Sequence, residues 1–188
     1  MAIVLLISTD KLKKNTPIQE NVDDDLIKPY IYRAQVTYIQ QYLGTDLYDK
    51  ILSDVQNNVI AGVYKTLLDD YIIPVLIEWT FYEVLPFISL KLTNKSIGRG
   101  NADYLVESDL EDLKYLRNTV RDMGRFQAER LIGQLKENTN LYPEYNTNSG
   151  LDKMQPQYSQ NFFGGVYTGQ GRSGCDFGLG DKWIDLDW

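Results

Sequence analysis

The stretch from Tyr64 to Leu92 constrains the fold of this chain more than any other part of the sequence. Large apolar and aromatic residues recur there at three- and four-residue spacing, which predicts an amphipathic helix. The other side is apolar as well, at Ile73, Ile77, Val84 and Ile88. A helix that is apolar nearly all round must be covered on every side, by protein or by lipid.

Lipid is the less favourable cover for this helix. Glu78 and Glu83 would lie in mid-span, where an acidic group costs roughly 2.5 to 3.5 kcal/mol. Pro74 and Pro86 would each remove a backbone hydrogen bond. We therefore expect a central helix covered by its own neighbours, by copies of itself, or by both, and no membrane partner.

The aromatic residues of this helix have two interpretations. Trp79, Phe81, Tyr82 and Phe87 are expected to lie mostly in the core, because aromatic side chains bury large areas. Any subset of them can instead face a partner subunit. Trp79, Tyr82 and Phe87 are the candidates for that contact.

The composition excludes several classes of function. The 188 residues carry a formal net charge of −7, which argues against a surface that grips DNA phosphates, since such binding rests on clustered Lys and Arg. The chain has no histidine and so lacks the usual general base and the commonest metal ligand. The single Cys175 is interpreted as an incidental thiol. We expect no cofactor and no metal.

An enzyme is the alternative from another class. Asp69 with Asp70, or Glu78 with Glu83, could form an acid-base pair. Asp69 and Asp70 point to different faces of a helix, however, and Glu78 and Glu83 lie five residues apart. The spacing of both pairs is poor for one site, so the sequence predicts no catalytic residues.

The N-terminal residues 1–20 are predicted to form an extended arm. Ile3 to Ile7 favours a short strand, and Ser8-Thr9-Asp10 offers an N-cap for a helical turn through Lys14. Pro17 closes that turn. The stretch lacks a basic region and a cleavage pattern of a secretory signal, so we expect an intracellular product.

Two helices are predicted before the central one. The first has an acidic start at Asp23 but is expected to be regular only from about Pro29 to Tyr42, with Gly44 as its stop. The second is predicted from Asp46 to about Asn57, with Thr45 as its cap. Their apolar stripes are Tyr30, Ile31, Ala34, Tyr38, Ile39 and Tyr42, and Leu47, Tyr48, Ile51, Leu52 and Val55.

A glycine-containing break, Thr93 to Asn101, follows the central helix. Lys95 and Arg99 make it a basic spot on an acidic protein. Because no strand precedes Gly98-x-Gly100 and no Gly-Lys-Ser/Thr follows it, we do not interpret it as a nucleotide loop. It is either a solvated loop or a contact loop to an acidic partner.

A capping box at Ser108 to Glu111 predicts a long helix to about Glu137. Its basic residues include Arg117, Arg121 and Arg125, and Asp122 can pair with Arg125 at three-residue spacing. This charged side is either a solvated, salt-bridged face or a subunit interface. The predicted apolar side is Leu110, Leu113, Leu116, Val120, Phe126, Leu131 and Leu135.

The character of the sequence changes after Tyr142-Pro143-Glu144-Tyr145, where the folded part is predicted to end. Residues 146–188 hold eight of the fourteen glycines, which opposes an independent core. The tail either orders on binding a partner or touches only the body of its own chain. Its aromatic residues are Tyr158, Phe162, Phe163, Tyr167, Phe177, Trp183 and Trp188.

Together these patterns predict an all-α fold. A helical bundle of about four helices spans residues 21–145, between an extended N-terminal arm (1–20) and a long irregular C-terminal tail (146–188). Short β segments are compatible with this organisation.

The layout of residues 5–145 resembles a known family. It comprises the aromatic helix ending in Leu43-Gly44, Pro74 with Trp79 to Pro86, the Thr93 to Gly98 break, and Tyr142-Pro143-Glu144-Tyr145 after a charged helix. This order is similar to that of the head-to-tail connector (adaptor or neck-ring) proteins of tailed bacteriophages, and most similar to the ring proteins of crAss-like phages. The glycine-aromatic tail is not part of the common pattern.

The resemblance implies a structural virion protein without catalytic residues. The resemblance implies three kinds of partner: identical copies in a ring of twelve, the portal protein, and another neck or tail ring protein. DNA would pass nearby through the channel during genome ejection without specific binding. The protein would be made in the host cytoplasm and reside in the virion neck. The alternative is a small helical regulator or packaged cargo protein that binds a partner through its tail.

Overall fold

Helices dominate the computed structural model, which describes residues 4–89, 91–92, 97–98, 110–147 and 153–158. The prediction of an all-α fold is confirmed. Two turns, π1 (Gln35–Ile39) and π2 (Leu68–Ile72), have π-helical hydrogen bonding. The α-helices are α1 Thr9–Asn15, α2 Asp24–Ala34, α3 Gln40–Leu43, α4 Thr45–Gln56, α5 Gly62–Leu67, α6 Ile73–Ser89, α7 Leu110–Glu137 and α8 Pro143–Asn146.

The central helix runs without a break through α5, π2 and α6, as the sequence predicts. Helix α2 packs along one side of α6 and α7 along another. In the described part of the chain, one helical stretch, Gly62–Ile88, is long and apolar enough to cross a membrane by length and composition alone. Of its most apolar window, 61% is buried inside the chain. Neighbouring segments therefore supply much of the cover that this helix needs.

The helix formed by α2, π1 and α3 begins earlier than predicted. The Asp23 carboxylate accepts a hydrogen bond from the backbone N–H of Asp25 at 3.0 Å and caps α2. Pro29 is accommodated inside the helix, so the predicted start at Pro29 is wrong: the cap and the buried stripe together outweigh one missing hydrogen bond. The helix ends at Gly44, with φ of 75°, as predicted.

Helix α4 shows a different correction. Gly44 occupies the N-cap position, and Thr45 is the first helical residue, so the predicted Thr45 cap is wrong. The Thr45 hydroxyl oxygen instead accepts a hydrogen bond from the Met154 backbone N–H at 3.0 Å. The predicted stripe is confirmed, since Leu47 and Ile51 are fully buried.

The N-terminal segment lies on the bundle without forming a strand in residues 4–7. The Leu6 N–H donates to the Gln35 side-chain oxygen at 2.8 Å, and the Gln35 amide nitrogen donates to the Val4 carbonyl at 3.1 Å. The strand predicted there is wrong because a buried side-chain amide, in place of a second strand, satisfies the backbone. The Ser8 cap of α1 is confirmed, with its hydroxyl accepting from the Lys11 N–H.

Helix α7 ends at the predicted residue, but part of its predicted buried side is wrong. Leu116 and Phe126 are 41% and 44% exposed, whereas Leu131 and Leu135 are fully buried. Residues turn by about 100° per position in an α-helix. The predicted set has intervals of three to six residues and therefore drifts away from the core side. Ala128 completes the buried face.

Residues 153–158, here called the strap, pack against the junction of α3 and α4. The Thr45 N–H donates to the Met154 carbonyl at 3.0 Å, and the Gln157 N–H donates to the Gln41 carbonyl at 2.7 Å. Tyr158 meets Tyr145 edge to face, with ring centroids 5.7 Å apart. Contacts with the bundle thus continue past Tyr145, where the folded part was expected to end.

A short β pair follows the central helix. Lys91–Leu92 and Ile97–Gly98 pair antiparallel, with Lys91 opposite Gly98. The sequence analysis continued the central helix to Leu92 and expected a loop from Thr93 with no strand before Gly98, so this pair was not predicted at this place. Lys95 and Arg99, the basic residues of the break, lie outside the described residues.

Candidate interaction surface

An aromatic array joins π1, α6 and α7. The rings of Tyr38 and Trp79 are stacked, with centroids 4.0 Å apart, and Trp79 meets Tyr82 edge to face at 5.6 Å. The Arg117 guanidinium lies over the Tyr82 ring, 4.2 Å from its centroid, as a cation–π contact. On α7, Gly124 leaves room for the Trp79 indole. The array fixes the spacing of three helical segments.

A carboxylate anchors the edge of this array. Glu83 is only 8% exposed, accepts a hydrogen bond from the Tyr38 hydroxyl at 2.8 Å, and pairs with Arg33 at 3.3 Å. Burial raises the pKa of Tyr38, and the hydrogen bond to Glu83 raises it further. Tyr38 therefore stays protonated and remains a donor. Two partners thus hold the buried Glu83 carboxylate, which is typical of a residue with a structural role.

The predicted aromatic contact residues of the central helix lie mainly inside the subunit. Trp79 is 5% exposed, so little of its surface is left for a partner. Tyr82 is partly buried beneath Arg117. Phe87 is also partly buried and packs on Tyr30, with ring centroids 4.9 Å apart.

The predicted arginines also make contacts within the chain. The Asp122 carboxylate lies 3.3 Å from Nε of Arg121 and 4.0 Å from a guanidinium nitrogen of Arg125. The predicted pairing of Asp122 with Arg125 is thus confirmed. The other predicted contact residues lie outside the described residues: Lys95, Arg99, Phe162, Phe163, Tyr167, Phe177, Trp183 and Trp188.

Sequence reasoning missed an apolar row on the outside of α7, here called the α7 ridge. It consists of Tyr115, Leu116, Met123 and Phe126, which are 76%, 41%, 47% and 44% exposed. At about 100° per residue these positions fall on one side of the helix, roughly opposite the buried face. Part of the signal was present in the sequence, because a helical wheel separates Tyr115 and Phe126 from Val120 and Leu131, whereas Leu116 and Met123 lie within one turn of Val120.

A second apolar surface lies on α2 and is here called the α2 groove. Leu5, Lys28, Pro29 and Tyr32 line a cavity of about 400 Å³. Tyr32 is 43% exposed, and Leu26 and Val36 elsewhere on the same helical segment are 42% and 38% exposed. The sequence analysis did not single out this surface.

The carboxylates of the enzyme alternative do not form one centre in the described structure. Asp69 and Asp70 are both exposed on π2. Glu83 is held by Tyr38 and Arg33. Burial alone raises the pKa of Glu78. Among the described residues, no cluster of three or more Cys, Asp or Glu side chains could hold a metal ion.

Comparison with known proteins identifies one family. A family model described as "Family of unknown function (DUF6712)" matches residues 39–155, more than half of the chain. The chain belongs to this family. The DUF6712 region begins within π1, contains α6 and the α7 ridge, and ends inside the strap. The α2 groove precedes it. No curated protein and no solved structure matches the chain significantly.

Proposed function

We propose that this protein is a structural subunit of a ring in the neck of a tailed bacteriophage. Copies of the chain would join the portal to the tail and continue the channel through which DNA leaves the head. No reaction is part of this role. The net charge of −7 would disfavour adhesion of the phosphate backbone and so let DNA slide past.

One observation supports this proposal most strongly. Helix α7 is packed against α6 on one side and presents the four large apolar side chains of the α7 ridge on the other. Single exposed apolar residues are ordinary, but four large ones on one side of a single helix are typical of an interaction surface. The resemblance in layout to neck-ring proteins supplies the kind of assembly.

Native mass spectrometry of the full chain tests the proposal, first alone over a range of concentrations and then with a portal protein from a crAss-like phage. We expect a closed oligomer, or an oligomer that forms only with portal. Electron microscopy of the same sample should then reveal rings. A chain that remains monomeric in both conditions would contradict the proposal and favour a small regulator or a packaged cargo protein.

A further inference from the structure

The α2 groove lies at the seam between the N-terminal segment and helix α2. Of the described residues that line it, Lys28, Pro29 and Tyr32 belong to α2, and Leu5 belongs to the N-terminal segment. The cavity measures about 400 Å³ and has a largely apolar lining. An occupant of this cavity must therefore be apolar and must lie close to Leu5.

The charges at the groove also favour an uncharged occupant. Lys28 is the charged residue among the described lining residues, and its ammonium group already pairs with Asp25 at 2.8 Å. A charged group that entered the cavity would gain little from an exposed ion pair. It would also lose its contact with water without an open partner, which is costly.

The backbone of residues 4–6 determines where the preceding residue lies. The Gln35 side-chain amide accepts a hydrogen bond from the Leu6 N–H at 2.8 Å and donates one to the Val4 carbonyl at 3.1 Å. A single amide can bond both groups, which flank Leu5, when the segment is extended as it is in a paired strand. Ile3, which lies outside the described residues, is bonded to Val4, so their Cα atoms are about 3.8 Å apart.

The direction of the Ile3 side chain follows from the same geometry. Side chains alternate along an extended segment, so residues two apart project to the same side. Their Cα atoms are separated by about 6.6 Å along the chain. Leu5 lines the groove. Continued toward the N-terminus, the alternation directs Ile3 to the groove side and Ala2 to the opposite side.

We propose that the Ile3 side chain docks in the α2 groove, beside Leu5 and against Pro29 and Tyr32. The occupant of the groove is thus a segment of this same chain, and the contact fastens the N-terminal segment to α2. Burial of the isoleucine side chain supplies the stabilisation. The inference is independent of the proposed function. It assigns the groove to the subunit's own core and leaves the α7 ridge as the candidate surface for assembly.

Nuclear magnetic resonance of the full wild-type chain tests the contact directly. With labelled isoleucine methyl groups, we expect nuclear Overhauser effects between the Ile3 methyl protons and the Tyr32 ring protons. The rings of Tyr30 and Phe87, with centroids 4.9 Å apart, provide the positive control. If the control effect is observed and the effect from Ile3 to Tyr32 is absent, the proposal is overturned.

Two matched variants of the full chain test the same contact by its effect on stability. Ile3→Glu and Ala2→Glu introduce the same charge at neighbouring positions on opposite sides of the segment. We expect Ile3→Glu to lower the urea midpoint and to accelerate amide exchange at Leu6, whose N–H is held by Gln35. Ala2→Glu should behave like the wild type. Equal effects of the two variants, or no effect of Ile3→Glu, would overturn the proposal.

Discussion

The Trp79 indole lies between the Tyr38 ring, stacked on it at 4.0 Å, and the backbone of Gly124, where an added Cβ would come within 3.2 Å of its Cε2 atom. Both faces of one side chain are thus in contact with other segments of the chain. Glycine at position 124 therefore sets how closely α7 approaches α6.

Gly124→Ala and Gly133→Ala should change the free energy of unfolding by different amounts, or in opposite directions. Alanine is favoured over glycine inside a helix by about 1 kcal/mol. Gly133 has open space around its Cβ position, so Gly133→Ala should raise the free energy of unfolding by about that amount. Gly124→Ala should raise the free energy of unfolding by less, or lower it, because the Trp79 indole is stacked on Tyr38 and cannot move away from the added Cβ. Urea denaturation of both variants measures the difference, and equal gains would contradict the proposed tight contact.

Gly44→Ala should destabilise the chain more than Gly62→Ala. Gly44 has φ of 75° and ψ of 162°, a region that is nearly restricted to glycine and costs other residues about 1 to 3 kcal/mol. Its added Cβ would also lie 2.9 Å from Pro156, whereas Gly62, with φ of 56°, has open space. Urea denaturation gives the two losses. Amide exchange at Gln157 should accelerate only in Gly44→Ala, since only that variant displaces the strap.

Tyr38→Phe should lower the free energy of unfolding by about 1.5 to 3 kcal/mol, the range for a hydrogen bond to a charged group. The variant keeps the ring on Trp79 and removes the hydrogen bond to the Glu83 carboxylate, while the ion pair between Glu83 and Arg33 remains. Tyr115→Phe is the matched control, because that ring is 76% exposed. A loss no larger than the control's would mean that Glu83 does not depend on the Tyr38 hydroxyl.

Glu78→Gln should stabilise the protein at neutral pH. Burial raises the pKa of Glu78 above its ordinary value of 4.5, so the folded state holds this proton more tightly than the unfolded state. Its contribution to stability is then greatest below pH 4.5 and falls as pH rises through the raised pKa. Glutamine does not titrate, so the Glu78→Gln variant does not lose stability in this way as the pH rises. Urea denaturation as a function of pH should give a difference that shrinks toward pH 4.5, and a constant difference would contradict the assignment.

Much of the helical architecture could be predicted from sequence. The apolar periodicity of Tyr64 to Leu92 and the capping box before α7 gave those helices nearly their observed limits. The start of α2 was missed because the rule against proline took precedence over the Asp23 cap. Local rules compete at such a position, and the packing of Ile27 and Ile31, both fully buried, decides between them.

The candidate surface was less predictable for a different reason. Trp79 was expected mostly in the core, with a partner contact as its alternative, and Arg117 was left open between a solvated face and a subunit interface. Sequence could not choose, because which side of a helix is exposed depends on how its neighbours pack. Conversely, Met123 and Tyr32 carry no motif. They stand out only in the folded protein, where the packing of the neighbouring helices leaves both side chains exposed.

The widened turn π1 has a consequence for how the sequence encodes this fold. An i to i+5 turn holds one residue more than an α-helical turn and so changes the phase of everything after it. The helix can thereby direct Gln35 toward the N-terminal segment and Tyr38 toward Trp79. Losing a single residue there would leave a helix in place yet rotate its remainder, so the number of residues in this turn specifies the fold as firmly as their identity.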